Sequence, residues 1–214
     1  MHIQDIRNRA LFEEVDYLFL KDTLKDYAQP RNKIQQLLKS KGLIRVKKGL
    51  YVFGPTAARS PYCKEVLANL IYGPSAISLE YALSFYGLIP ERVEEITSIT
   101  NKRNKSFTTP VGRFTYHYLH PHKYPIGITQ IELHNRKVLM ATPEKALCDL
   151  LILRGPTFEN TQMLQSHLVD NLRLEEDRIH QLDLMLLTSI AKRYSHPNIN
   201  LLLTFLRGEN AKNG

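Results

Sequence analysis

The segment KGLIRVKKGLYVF at residues 41–53 constrains this chain more than any other. Ile44 and Val46 alternate with Arg45 and Lys47, the period-two pattern of a strand with one dry and one wet face. Leu50, Tyr51, Val52 and Phe53 form a second run rich in β-formers. Only Lys47-Lys48-Gly49 separates the two runs, and Gly49 can take the positive φ that so short a loop needs. The two runs therefore make a tight hairpin with a basic tip. Just before it, Gly42 is expected to close a helix in the left-handed conformation that costs glycine little.

That helix is predicted over residues 30–41. Pro30 suits its first turn, where a missing N–H is no loss. Ile34, Leu37 and Leu38 fall on one side, leaving Arg31, Asn32, Lys33, Gln35, Gln36 and Lys39 outward. Arg and Lys match guanine edges, Asn and Gln match adenine edges, and no acid interrupts them. From residue 27 to residue 63 there is no Asp or Glu, while Arg31, Lys33, Lys39, Lys41, Arg45, Lys47, Lys48 and Arg59 bring eight positive charges, as many as the net charge of +8. Such a concentration is a footprint for phosphates. A polar helix followed at once by a basic hairpin is the pattern of a winged helix-turn-helix. Arg31, Asn32, Gln35 and Gln36 are expected nearest the base edges. Lys33, Lys39, Arg45, Lys47 and Lys48 are expected on phosphates, for a salt slope of roughly −4 to −5.

Upstream, a helix is predicted over residues 4–14, a short strand at residues 17–19 pairing with the hairpin, and a second helix capped by Asp22 or Thr23. The domain so built covers residues 1–58. Residues 59–214 form a second, mixed α/β domain, and the wing of the first is expected to stand apart from it. Helices are predicted at 62–72 and at 79–86, the latter capped by Ser78. Strands are predicted at 95–100, 105–109, 113–119, 128–133 and 137–141. Thr142-Pro143-Glu144 is a strong helix start. Trailing helices are expected at about 159–171, 175–193 and 198–207, with residues 208–214 frayed. The fold class is therefore α+β.

Cys63 and Cys148 belong to no CxxC pair and read as reduced, half-buried residues. No apolar run has the length of a membrane span, and residues 1–18 lack the apolar core of a signal peptide, so a cytoplasmic location with no membrane partner is expected. His117, His120 and His122 invite a metal reading, but Pro121 places them on a loop and no carboxylate or cysteine completes a ligand set. With no Gly-rich phosphate loop and no GxSxG, neither catalysis nor a cofactor is expected.

YGPSAISLEYALSFYGLIPE at residues 72–91, TSIT at 97–100, the later aromatic strand and ATPEKALCDLL at 141–151 resemble, in order and spacing, the AbiEi-type antitoxins of abortive-infection, type IV toxin–antitoxin systems. The hairpin resembles the wing of the same family, and the likeness runs from about residue 15 to 156. The resemblance implies a repressor of its own operon that binds inverted repeats in double-stranded DNA, as monomer or dimer. It also implies a second domain that counters a nucleotidyltransferase-like toxin. Glu80, Glu144, Lys145 and Asp149 are candidates for a partner surface, although capping and solvation explain them equally well. The alternative is a winged-helix regulator without a toxin, its second domain sensing a ligand or forming a dimer.

Overall fold

In the computed structural model, which describes residues 2–210, the first 53 residues run α1 (Ile3–Arg9), β1 (Glu14–Asp16), α2 (Tyr17–Thr23), α3 (Pro30–Lys39), β2 (Leu43–Lys47) and β3 (Leu50–Phe53). The strands form an antiparallel sheet in the order β1-β3-β2. Two expectations for this region are corrected. Asp16, not Asp22 or Thr23, caps α2: its carboxylate accepts the Phe19 N–H at 2.7 Å. Residues 17–19 are therefore helical, and the strand that pairs with the hairpin is β1. The first helix stops at Arg9 rather than continuing to residue 14 because Glu13 is engaged elsewhere. Its carboxylate meets the Arg7 guanidinium at 2.5 Å and accepts the N–H groups of Arg59 and Ser60. Burial pushes the Glu13 carboxyl up, but these hydrogen bonds and the Arg7 charge outweigh it and hold the group below its ordinary value. At the end of α3 it is Lys41, not Gly42, that takes the left-handed conformation (φ 56°).

The remaining elements are α4 (Lys64–Ile71), β4 (Ser75–Ile77), α5 (Leu79–Phe85), β5 (Ile96–Thr100), β6 (Lys105–Thr109), β7 (Gly112–Tyr118), β8 (Ile128–Leu133), β9 (Arg136–Ala141), α6 (Pro143–Leu153), α7 (Thr161–Ser166), a π-helical turn (His167–Asn171), α8 (Glu176–His180), α9 (Leu184–Tyr194) and α10 (Pro197–Asn210). Six strands form one mixed sheet, β6-β7-β5-β4-β9-β8, in which β5–β7 and β4–β9 are parallel. Among the described residues the chain thus has ten α-helices and two sheets, a mixed α+β fold. Five of the six strands match predicted runs. β4 does not, since three residues carry no readable period. Thr142 caps α6 as expected, its hydroxyl accepting the Lys145 N–H. The helix expected over 175–193 is broken at residues 181–183, where Asp183 caps α9 with bonds from Met185 and Leu186. Of the tail expected to fray, residues 208–210 end α10 and residues 211–214 lie outside the described residues.

β3 is buried on both faces. Tyr51 and Phe53 join Ile6, Leu20, Leu24, Ile34 and Leu37 in a small first core, whereas Leu50 and Val52, with Val46, join the large core of the second unit. The hairpin does not stand apart from the second unit. It is the wall between the two cores. Polar ties reinforce the contact: Glu14 pairs with Arg136 at 2.5 Å and accepts the Cys63 N–H at 2.6 Å. Because β3 serves both cores, Leu50→Ala should cost about 2–5 kcal/mol. Calorimetry should show both units melting in one transition that moves down together; a first transition that shifts while a second stays fixed would refute the shared wall.

Candidate nucleic-acid interface

α3 presents the face expected of it. Ile34 and Leu37 are buried, and Arg31, Asn32, Gln35, Gln36 and Lys39 are exposed, with Lys33 half-buried. Between this face and the hairpin runs an open groove of about 740 Å³, lined by Tyr17, Arg31, Ile34, Gln35, Arg45, Lys48, Gly49 and Tyr51. Four of the nine sequence candidates therefore converge: Arg31 and Gln35 from the helix, Arg45 and Lys48 from the hairpin. Asn32, Lys33, Gln36 and Lys39 do not line it: Asn32 lies in a neighbouring hollow with Tyr17 and Arg31, and the Lys33 ammonium sits 5.7 Å from the centre of the Tyr27 ring. No carboxylate lines it, and among the described residues no ion pair neutralises Arg31, Arg45 or Lys48.

Two tyrosines to which the sequence assigns no role position these cations. The Tyr17 hydroxyl accepts the Arg31 Nε–H at 3.2 Å, and the Arg45 guanidinium lies 5.9 Å from the centre of the Tyr51 ring. Tyr17 falls in a run that reads as a strand, and nothing in a separation of fourteen residues announces its bond to Arg31. The hairpin tip is anchored by the Tyr17 N–H, which donates to Gly49 O at 2.9 Å. Gly49 holds φ 87°, as the turn requires.

Lys47 leaves the predicted set. Strict alternation would place it beside Arg45, but a β-bulge shifts the register between these two residues, so that Arg45 opposes Tyr51 and Lys47 opposes Leu50. A bulge re-aims side chains, and here it turns Lys47 toward the second core. Its ammonium donates to Leu70 O at 3.1 Å and to Ile71 O, at the carbonyl end of α4. That end carries partial negative charge. Burial, and then the charges of Lys105 and Lys102, hold the Lys47 ammonium below the ordinary lysine value.

The proposed partner residues are also redistributed. Glu144, Lys145 and Asp149 are buried and cannot form a surface patch in this conformation; only Glu80 keeps solvent contact, paired with Arg154. Asp149 and Lys145 are one turn apart on α6, 3.3 Å between charged atoms. The Tyr194 hydroxyl bonds to both, and the Ser78 hydroxyl donates to Asp149 Oδ2 at 2.7 Å. Ser78 therefore does not cap α5 with its side chain, and Leu79 enters that helix at φ 61°. Burial lowers the Lys145 pKa against the pull of Asp149, and raises that of Asp149 against the pull of Lys145 and the hydroxyl donors. Glu144 accepts the Asp183 N–H at 2.9 Å and so positions α9. Near the chain's histidines, His117 lies 3.0 Å from Arg154, and among the described residues no group of three or more His, Cys, Asp or Glu gathers as a metal set. No helix of the described residues is long and apolar enough to cross a membrane.

The chain matches no protein-family model and no curated protein.

Asp149→Ala would leave Lys145 charged, buried and unpaired, and should cost about 3–5 kcal/mol in denaturant unfolding. Asp149→Asn, whose amide oxygen can still accept from Tyr194 while its NH2 donates to the Ser78 hydroxyl, should cost less. Equal stability for Asp149→Ala and the wild type would show that the network contributes nothing to the fold.

Proposed function

We propose that this protein is a winged-helix, sequence-specific DNA-binding repressor. The observation that carries the reading is the acid-free groove in which Arg31 and Gln35 of α3 face Arg45 and Lys48 of the hairpin. The order α1-β1-α2-α3-β2-β3 with sheet order β1-β3-β2 supports it, because that is the connectivity of a winged helix-turn-helix. α3 would enter the major groove with Arg31, Asn32, Gln35 and Gln36 toward base edges. Arg45 and Lys48, with Lys33 and Lys39, would hold phosphates. Lys47 has no direct part; it fixes the hairpin from behind.

The resemblance to AbiEi antitoxins extends the proposal: the protein represses its own operon, and its second unit counters a nucleotidyltransferase-like toxin. This half rests on the sequence likeness alone. No catalytic role and no cofactor enter the reading.

With Lys47 removed from the phosphate contacts, about four remain per protomer, for a log–log salt slope of roughly −3.6. Binding of the pure protein to the duplex upstream of its coding sequence, titrated with salt and competitor DNA, tests this. Arg45→Gln with Lys48→Gln should weaken binding to all sequences and flatten the slope by about two. Gln35→Ala should cost about 1–3 kcal/mol and relax selectivity. Absence of selective binding at micromolar protein would refute the repressor.

A further inference from the structure

The hairpin is not the only acid-free basic element on this face. From residue 96 to residue 131 the sequence again contains no Asp or Glu. Within that window the β5–β6 turn reads Lys102-Arg103-Asn104-Lys105, and all four residues are exposed. The fold brings it next to the turn end of the hairpin. Lys47 donates to Leu70 O and Ile71 O at the carbonyl end of α4, and Lys102 donates to Gly73 O, two residues past that end, at 2.5 Å. Lys102 and Lys105 share the ring of the intervening Tyr72, at 5.6 and 5.5 Å from its centre.

Lys48 joins this cluster to the α3 groove. It lines that groove with Arg31 and Gln35, and it also lines the hollow on the other side of the hairpin with Lys47 and Leu70. Cations thus follow one another from Arg31 through Lys48 to Lys47, whose ammonium feels the charges of Lys105 and Lys102. Glu14 and Asp16 also line that hollow, but Glu14 is paired with Arg136 and Asp16 accepts the Phe19 N–H. Two of the turn's cations exceed what the fold requires. Lys47 satisfies α4 carbonyls and Lys102 the Gly73 carbonyl just beyond them, but Arg103 has no such task, and Lys105 rests on the faces of Tyr72 and Phe107. Among the described residues no carboxylate pairs with Lys102, Arg103 or Lys105. Gathering like charges without counter-ions is unfavourable unless an anion completes the site.

The turn is also held in place. The Thr100 hydroxyl donates to Pro74 O at 2.7 Å and accepts the Lys102 N–H, while Asn104 Oδ1 accepts the Tyr118 N–H at 2.5 Å. Beneath it, Tyr72, Phe107 and Tyr116 pack edge to face or tilted, with centroids 5.3–6.0 Å apart. Cations seated on aromatic faces lose little freedom when they meet an anion.

We propose that the β5–β6 turn is a second phosphate-binding element, in which Arg103 and Lys105 hold the backbone of the same DNA duplex that α3 reads, on the far side of the hairpin. This rests on the DNA-binding reading above, and it gives the second unit a direct share in operator affinity.

The test uses the full chain with Arg103→Gln and Lys105→Gln, and, as a charge-preserving control, Arg103→Lys with Lys105→Arg. Both side chains are exposed, so thermal stability should match wild type. On upstream duplex DNA these two contacts should steepen the wild-type log–log salt slope from about −3.6 to about −5.4, and the Gln pair should return it to about −3.6 and weaken binding roughly tenfold to a hundredfold near 0.1 M salt. Sequence preference should stay intact, and the charge-preserving pair should bind as wild type does. A shorter duplex that spans only the α3 contacts should bind the wild type and the Gln pair alike. Wild-type affinity and slope for the Gln pair, with Arg45→Gln and Lys48→Gln still impaired, would overturn this proposal and leave the repressor standing. A wild-type protein that binds no duplex would overturn both.

Discussion

A single strand of four residues, β3, has no solvent-facing side. Its odd-numbered residues Tyr51 and Phe53 complete one core and its even-numbered Leu50 and Val52 complete another. Period-two geometry makes this possible, since alternate side chains leave opposite faces of a strand. A slip by one residue would exchange the two sets and place a tyrosine and a phenylalanine where a leucine and a valine fit. The register is therefore held from both sides. The groove between α3 and the hairpin inherits that rigidity, as does the position of α3 relative to the six-stranded sheet.

The cations around this wall divide by task. Lys47 answers the carbonyl end of α4, Lys102 the Gly73 carbonyl that follows it, and Lys145 answers Asp149 in the interior. Arg31, Arg45, Lys48, Arg103 and Lys105 lack a carboxylate partner among the described residues and are open to an outside anion. Net charge alone does not make this distinction. Side-chain direction does, and it depends on one bulge and on the place where one helix ends.

What could be read from the sequence was local. The hairpin, the α3 face, the Thr142 cap and five of the six larger-sheet strands follow from neighbours within a few residues, where periodicity and capping act. What could not be read was set at a distance. Glu13 ends α1 early because it binds backbone at residues 59 and 60. Asp16 resembles a loop acid beside a run that also reads as a strand, and its capping role shows only once α2 packs Leu20 and Leu24 inward. The bulge that parts Lys47 from Arg45 leaves no mark in IRVKKG. Glu144, Lys145 and Asp149 look like surface charges on any helical wheel; only tertiary packing encloses them, with Tyr194 and the Asp183 N–H from α9 and its start and the Ser78 hydroxyl from the start of α5.

The connectivity also sets an order of events during synthesis. All strands of the small sheet are in hand by residue 53, whereas β4, in the middle of the large sheet, must wait for β9, about sixty residues later, to pair along its second edge. Non-local parallel pairing of this kind forms slowly. A nascent chain would thus carry the small sheet and α1–α3 with Val46, Leu50 and Val52 still bare on their back. During that interval the same apolar face that later welds the two units together is a site for chaperones and proteases.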